Sequence, residues 1–312
     1  MKKWCFHMTQ TIFTTRKIFE VLLGKRTMPY VLHLRPLEWP IMTAHFLLGT
    51  VLAVGLELPW RNVLLGWFIF VVLMNGGTLA INSAFDKDEG DIGYLRSPPK
   101  IPKYLLHVSV AMLVAAFLMG YVLPLVFAWA TAVCVLMSVL YSVPPARLKA
   151  RAGWDLLINM LGFGLLTPLA GWGLTGVPLE PWFWKICIGF GFLFGALYPA
   201  TQIYQVEEDT ARGDKTLVIR LGVGTSLLLA IILHFAAHLI FLWALYERYP
   251  FVRLGHFWVA PWSISANLWS LATINWYQLW RSMSPKQHEK RMYWLLGCWV
   301  VTDIALLWSL WP

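Results

Sequence analysis

"NGGTLAINSAFDKDEGDIGYL" (residues 75–95) closes a long apolar run and then sets three aspartates and a glutamate within positions 86 to 91. A carboxylate in the middle of a bilayer costs about 2.5–3.5 kcal/mol on insertion scales. Such a run therefore ends where its acids meet water, a cation or a metal ion. The rest of the chain decides among these.

Of the 312 residues, 58% are hydrophobic, 13% are charged and nineteen are tryptophan. A soluble domain carries about 25% charged residues. The apolar residues also fall in runs of 18 to 24, long enough to cross roughly 30 Å of hydrocarbon as helices. Helices and closed barrels alone satisfy backbone polar groups in lipid, and the runs lack the alternation of barrel strands. The expected fold is therefore all-α, a polytopic membrane protein. Nine spans are expected, near 38–57, 62–84, 104–121, 122–140, 154–174, 182–204, 225–246, 257–280 and 292–311. With no low-complexity linker, residues 1–312 read as one domain, with residues 1–34 as a retained basic arm on the cytoplasmic membrane surface.

Charge orients the bundle. With the N-terminus inside, 21 of the 25 Lys and Arg fall in that arm and in the loops after spans 2, 4, 6 and 8. Arg61, Lys185, Arg248 and Arg253 fall outside. This is the positive-inside bias. It places the N-terminus and those loops in the cytoplasm of what reads as a bacterial inner-membrane protein. The net charge of +9 reflects the bias and attraction to anionic lipid, not nucleic-acid binding. Cys5, Cys134, Cys187 and Cys298 are scattered, which suggests neither a disulfide framework nor a zinc site.

Eight of the sixteen acids lie in two windows: Asp86, Asp88, Glu89 and Asp91 after span 2, and Glu207, Glu208, Asp209 and Asp214 after span 6. One such window would read as a solvated loop. Two on the same membrane face, each continuing a polar helical stripe, read as a site. Asn75, Thr78, Asn82 and Asp86 share a helix face. Gly90 ends that helix and lets Asp91 fold back; in a continuing helix Asp91 would point about 140° away. Thr201, Gln205, Glu208, Asp209 and Arg212 form the second stripe, with Gly213 as its C-terminal cap. Hard oxygen ligands at this density suit Mg²⁺, which bridges carboxylates to substrate phosphates. Zinc would want His or Cys. Metals and nearby Lys and Arg suit a diphosphate, and an apolar bundle below suits one with a hydrophobic tail, an isoprenyl diphosphate.

At this point the chain resembles a known family. "NSAFDKDEGD" (82–91) is similar to the first aspartate-rich motif of the UbiA superfamily of intramembrane prenyltransferases. "YSVPPARLK" (141–149) resembles that superfamily's loop after the fourth helix. "QVEEDTARGDKTLVIRLG" (205–222) resembles its second acidic motif, and "GWDLLINMLGFGLLTPLAGW" (153–172) its fifth helix. The motifs come in family order. The resemblance implies helices around a central cavity open to lipid and capped by cytoplasmic motif loops. It implies Asn82, Asp86 and Asp91 on one Mg²⁺, with Glu208 and Asp209 on a second, and Asp86 and Asp209 as the catalytic pair. Tyr141, Arg147, Lys149 and Lys215 would contact the diphosphate, with Gln205 in the same site. Three departures stand out. Ser83 replaces an aspartate common in the family, and Gln205 stands where the second motif has its first Asp. Asp91 falls one residue late, which leaves Asp88 and Glu89 open as ligands.

Other residues carry alternatives. His234 and His238, at i, i+4, read as a helix-packing pair or as metal or haem ligands. Asp155 and Asn159 either orient the site or join helices. Arg35 either touches phosphate or anchors the first span. His45 either packs or lines the cavity, and Asp303 is an intramembrane acid with no partner legible. The functional expectation is transfer of an isoprenyl group from its diphosphate to a lipophilic acceptor, such as a quinone precursor. The alternatives are a terpene cyclase of the same superfamily, and a transporter or lipid-binding protein. The last is disfavoured because transporters place charge near the midplane and show repeat symmetry.

Overall fold

The computed structural model describes residues 24–86, 95, 97–249 and 256–311. Most of the N-terminal arm, and Asp88, Glu89, Gly90 and Asp91, lie outside the described residues.

Local signals mark where the apolar runs begin as helices. Pro181 and Pro285 stand in the first turns of theirs, where the missing N–H of proline costs nothing. Ser284 and Gln287 form a capping box ahead of the last helix, satisfying two orphan donors. Nine long helical segments result among the described residues: α1 (Trp39–Val54), α2 (Trp60–Asp86), α3 (Leu105–Gly120), α4 (Leu125–Ser142), α5 (Trp154–Gly173), α6 (Pro181–Ile203), α7 (Val223–Arg248), α8 (His256–Leu279) and α9 (Pro285–Ser309). Each overlaps one of the stretches read as spans, though not all of them have the length and apolarity of a membrane crossing. Six are long and apolar enough to cross a membrane (α2, α4, α5, α6, α7 and α9), and α1 and α3 are apolar but shorter. The chain is an all-α, multi-pass membrane protein.

The core sits on α6, whose buried residues include Phe183, Phe190, Leu193 and Leu197 and which packs against α5, α7 and α9. α1 crosses α5 at two glycines. A Cβ on Gly171 would lie 1.8 Å from the Phe46 carbonyl oxygen, and one on Gly49 1.9 Å from that of Pro168. Thr50 Oγ1 donates to the Gly171 carbonyl at 2.8 Å across the same crossing. In lipid, helices gain association from such close packing of small residues, since apolar burial alone favours no neighbour. Gly171→Ala forces these backbones apart. By the usual cost of overpacking it should lower stability by about 1–3 kcal/mol, read as a reduced thermal midpoint in detergent. An unchanged midpoint would contradict this contact.

A buried pair closes the bundle. His45 Nδ1 on α1 lies 3.2 Å from Asp303 Oδ1 on α9, and its Nε2 lies 3.3 Å from the Gly164 carbonyl on α5. His45 thus packs, among Phe163, Phe190 and Trp299, and supplies the partner for Asp303 that the sequence withheld. His238 also serves packing: it contacts the His234 carbonyl at 2.8 Å and Ser265 Oγ at 3.2 Å.

α2 and α5 each contain a π-helical stretch, Phe68–Asn75 and Met160–Leu166. Such stretches favour functional sites because they re-aim side chains. Here Met74 and Asn75 from one, and Gly162 and Phe163 from the other, line the central cavity. Outside the spans, His33 Nε2 contacts the Pro99 carbonyl at 3.2 Å, tying the segment after the first acidic window to the helix before α1. Burial lowers the His33 pKa, partly offset by that hydrogen bond and reinforced by Arg35.

Candidate active site

A cavity of about 350 Å³ opens at the end of the bundle where α2 and α6 finish. Its interior is apolar, with Met42, Met137, Phe163, Phe194 and Leu296, and its mouth is charged, with Asp86, Lys149, Asp209, Arg212 and Asp214. The whole first stripe, Asn75, Thr78, Asn82 and Asp86, faces it. Among the described residues no tryptophan lines the cavity; Phe163 and Phe194, with ring centroids 4.6 Å apart, form its aromatic wall.

The mouth is a ladder of alternating charge. Lys149 Nζ donates to Asn82 Oδ1 at 2.6 Å and to Asp86 Oδ1. Arg147 donates to Asp86 Oδ1 at 3.4 Å and to Asp214 Oδ1 at 2.7 Å. Arg212 Nε takes the other Asp214 oxygen at 3.3 Å, while its Nη atoms reach Asp209 and, at 3.2 Å, Glu208. Two arginines and Asp214 therefore join the two acidic windows into one rim. Arg147 adopts φ +33°, a left-handed conformation uncommon for a non-glycine residue and often retained where function demands it.

The structure brings Asn82, Asp86, Tyr141, Lys149, Gln205 and Asp209 together on the cavity wall, with Arg147 bridging above. It does not bring Glu208 or Lys215. The second stripe does not run on one helix: α6 ends at Ile203 and a short helix, Val206–Ala211, restarts after Gln205. Neighbouring side chains on a helix diverge by about 100°. Asp209 thus faces the cavity, while Glu208 turns out and, among the described residues, pairs with Arg212. The Lys215 side chain is exposed and outside the lining; its backbone N–H donates to the Ala150 carbonyl at 3.2 Å. Asp91 lies outside the described residues. Arg35, in a left-handed conformation at φ +49°, lines the cavity with Glu38.

Sequence reading counted Asp214 in the second acidic window without giving it a ligand role of its own, and did not single out Tyr198 or Gln202. The signal for Asp214 was Gly213, whose φ of +76° turns the chain back over the rim. Gln202 sits four residues after Tyr198, on the face of α6 that meets Asp155. Asp155 is fully buried and joins helices: its oxygens accept from Gly153 N, Leu156 N, Gln202 Nε2 and Leu217 N at 2.8–2.9 Å.

The donor set fits a hard cation. The oxygens of Asp86, Asp209, Asp214 and Asn82 are what Mg²⁺ prefers. It binds through one or two carboxylates and completes its shell with water and substrate phosphate. Among the described residues no group of three His, Cys, Asp or Glu is set to cage a metal.

The UbiA prenyltransferase family model matches residues 42–299. The chain belongs to this family. Solved structures share the UbiA fold. A UbiA homolog from Archaeoglobus fulgidus bound to DMAPP and Mg²⁺ aligns with TM-score 0.65 at 17% identity, covering 89% of this chain and 98% of that one. The same homolog bound to GPP and Mg²⁺ aligns with TM-score 0.64 at 16% identity, covering 89% and 99%. A structure described for the biosynthesis of digeranylgeranylglyceryl phosphate synthase in membranes aligns with TM-score 0.67 at 16% identity, covering 92% and 99%. No curated protein matches the chain.

Proposed function

We propose that this UbiA-family chain is a Mg²⁺-dependent intramembrane prenyltransferase that ionises an isoprenyl diphosphate and passes the prenyl group to a lipophilic acceptor. The observation that carries the reading is the joining of two acidic windows into one rim over an apolar, aromatic-walled cavity. Relatives of the same fold are described with DMAPP or GPP and Mg²⁺, which supports the same ligands here. The whole chain is read as one domain, with the rim facing the cytoplasm of a bacterial inner membrane, as the charge bias implies.

Asp86 with Asn82, and Asp209 with Asp214, would hold Mg²⁺, with Asp91 a further ligand to the first ion. When bound, Mg²⁺ withdraws charge from the leaving diphosphate. Lys149, Arg147 and Arg212 already balance the carboxylates of the rim and would clamp diphosphate oxygens beside the metal. With the head group at the rim, the prenyl tail lies along Met137, Phe163, Phe194 and Leu296, away from water. The bond between the allylic carbon and the diphosphate oxygen breaks with its electron pair leaving on oxygen. The faces of Phe163 and Phe194 then shield the cation until the acceptor captures it and loses a proton.

Purified protein given geranylgeranyl diphosphate and Mg²⁺ should release pyrophosphate only after a quinone precursor or another lipophilic acceptor is added. Chelation by EDTA should abolish release, and Mg²⁺ should restore it. A cyclic hydrocarbon formed without acceptor would assign a cyclase instead. Release unaffected by EDTA, or absent with every acceptor tried, would overturn the proposal.

A further inference from the structure

Two side chains on α6 settle where a cavity proton points. Gln202 is locked in one orientation: its amide nitrogen donates to Asp155 Oδ2 at 2.8 Å, and its amide oxygen accepts from Val218 N at 3.4 Å. The same nitrogen lies 3.1 Å from the Tyr198 hydroxyl. An amide nitrogen only donates, so the Tyr198 oxygen is an acceptor there and must send its own proton elsewhere. The Tyr141 hydroxyl, on α4, stands 3.0 Å away. Tyr198 is 7% exposed, and a buried donor left unpaired is costly. Both tyrosines line the cavity, and Tyr141 is the less buried of the two. Proton order therefore runs from Gln202 to Tyr198 to Tyr141. The Tyr141 oxygen receives from Tyr198, which leaves its own proton for the cavity it lines.

We infer that Gln202 and Tyr198 are positioning residues that commit the Tyr141 hydroxyl as a hydrogen-bond donor to an oxygen of the bound diphosphate. The inference rests on the prenyl-diphosphate reading above. Chained hydrogen bonds polarise one another, so the terminal donor is strengthened by the Asp155-anchored amide behind it. Without the relay, Tyr141 is free to turn its proton back toward residue 198 or 202 and meet the ligand with a lone pair.

The test is a double-mutant cycle on binding of geranylgeranyl S-thiolodiphosphate with Mg²⁺ to the purified full-length protein. Tyr141→Phe should weaken binding about ten- to hundredfold, the value of one hydrogen bond to a charged acceptor. Tyr198→Phe should weaken it by about three- to tenfold, yet cost nothing further in the Tyr141→Phe background. Gln202→Glu accepts where Gln202 donates and reverses the proton order, so it should weaken binding at least as much as Tyr198→Phe, again only while Tyr141 is present. A packing role for Tyr198 would give losses that add. Additive losses, or full affinity in Tyr198→Phe and Gln202→Glu at wild-type thermal midpoints, would overturn the relay while leaving the prenyl-diphosphate reading intact. Failure of the wild-type protein to bind the analogue would overturn both.

Discussion

Asparagine in place of Asp86 should reduce kcat/KM for a prenyl diphosphate by about a thousandfold or more, roughly 4 kcal/mol of transition-state stabilisation. The Asp86 side chain is 8% exposed and pairs with Lys149 and Arg147. Its carboxylate is the proposed Mg²⁺ ligand on the first window, and it also places the two cations meant for the leaving group. One substitution thus removes a metal ligand and relaxes the clamp. The fold should survive, because Lys149 keeps Asn82 Oδ1 at 2.6 Å and Arg147 keeps Asp214 at 2.7 Å. Glu208→Gln is the matched control: among the described residues its carboxylate pairs with Arg212 and lies outside the cavity lining, so activity should change by less than about twofold, as for other exposed ion pairs. Pyrophosphate release and thermal midpoints measured side by side decide the matter. A kcat/KM in Asp86→Asn above about a tenth of wild type, at least about 2.7 kcal/mol better than expected, would remove Asp86 from the metal site.

The contrast between Asp86 and Glu208 shows where sequence reasoning reached and where it stopped. Helical periodicity put Asn75, Thr78, Asn82 and Asp86 on one face, and all four line the cavity, because the π-helical stretch of α2 ends at Asn75 and regular turns follow. Span positions were legible for the same reason: runs of apolar residues bounded by Pro, Gly and charge leave few alternatives in lipid. The second window was read less well. Periodicity assumed an unbroken helix from Thr201 to Arg212, whereas the chain breaks at Tyr204–Gln205. That break decides which of two adjacent acids faces inward. Contacts between distant segments carry no periodic signal at all. Asp214 bridging two arginines, and His45 meeting Asp303 across 258 positions, follow only from how the helices assemble.

Removal of the Asp155 carboxylate should do the most damage to the fold. Four donors converge on it, two on each oxygen: Gly153 N and Leu156 N from the start of α5, Gln202 Nε2 from α6, and Leu217 N from the segment after the second acidic window. Alanine leaves these groups facing a cavity with no acceptor, at about 1–3 kcal/mol for each buried donor left unpaired, so the thermal midpoint should fall steeply. Asparagine should be no gentler despite its matched shape. Its nitrogen cannot accept, and it must set its own N–H groups against two of the four donors. Activity should fall with stability in both variants, because Leu217 N anchors the return of the chain that carries Asp209, Arg212 and Asp214 to the rim. Excess Mg²⁺ should not restore it, since the ligands would be misplaced and not merely weakened. Thermal midpoints, together with the rate at which protease cuts between residues 205 and 222, provide the check. A stable, active Asp155→Asn protein would mean that the rim is held in place by its own ion pairs alone.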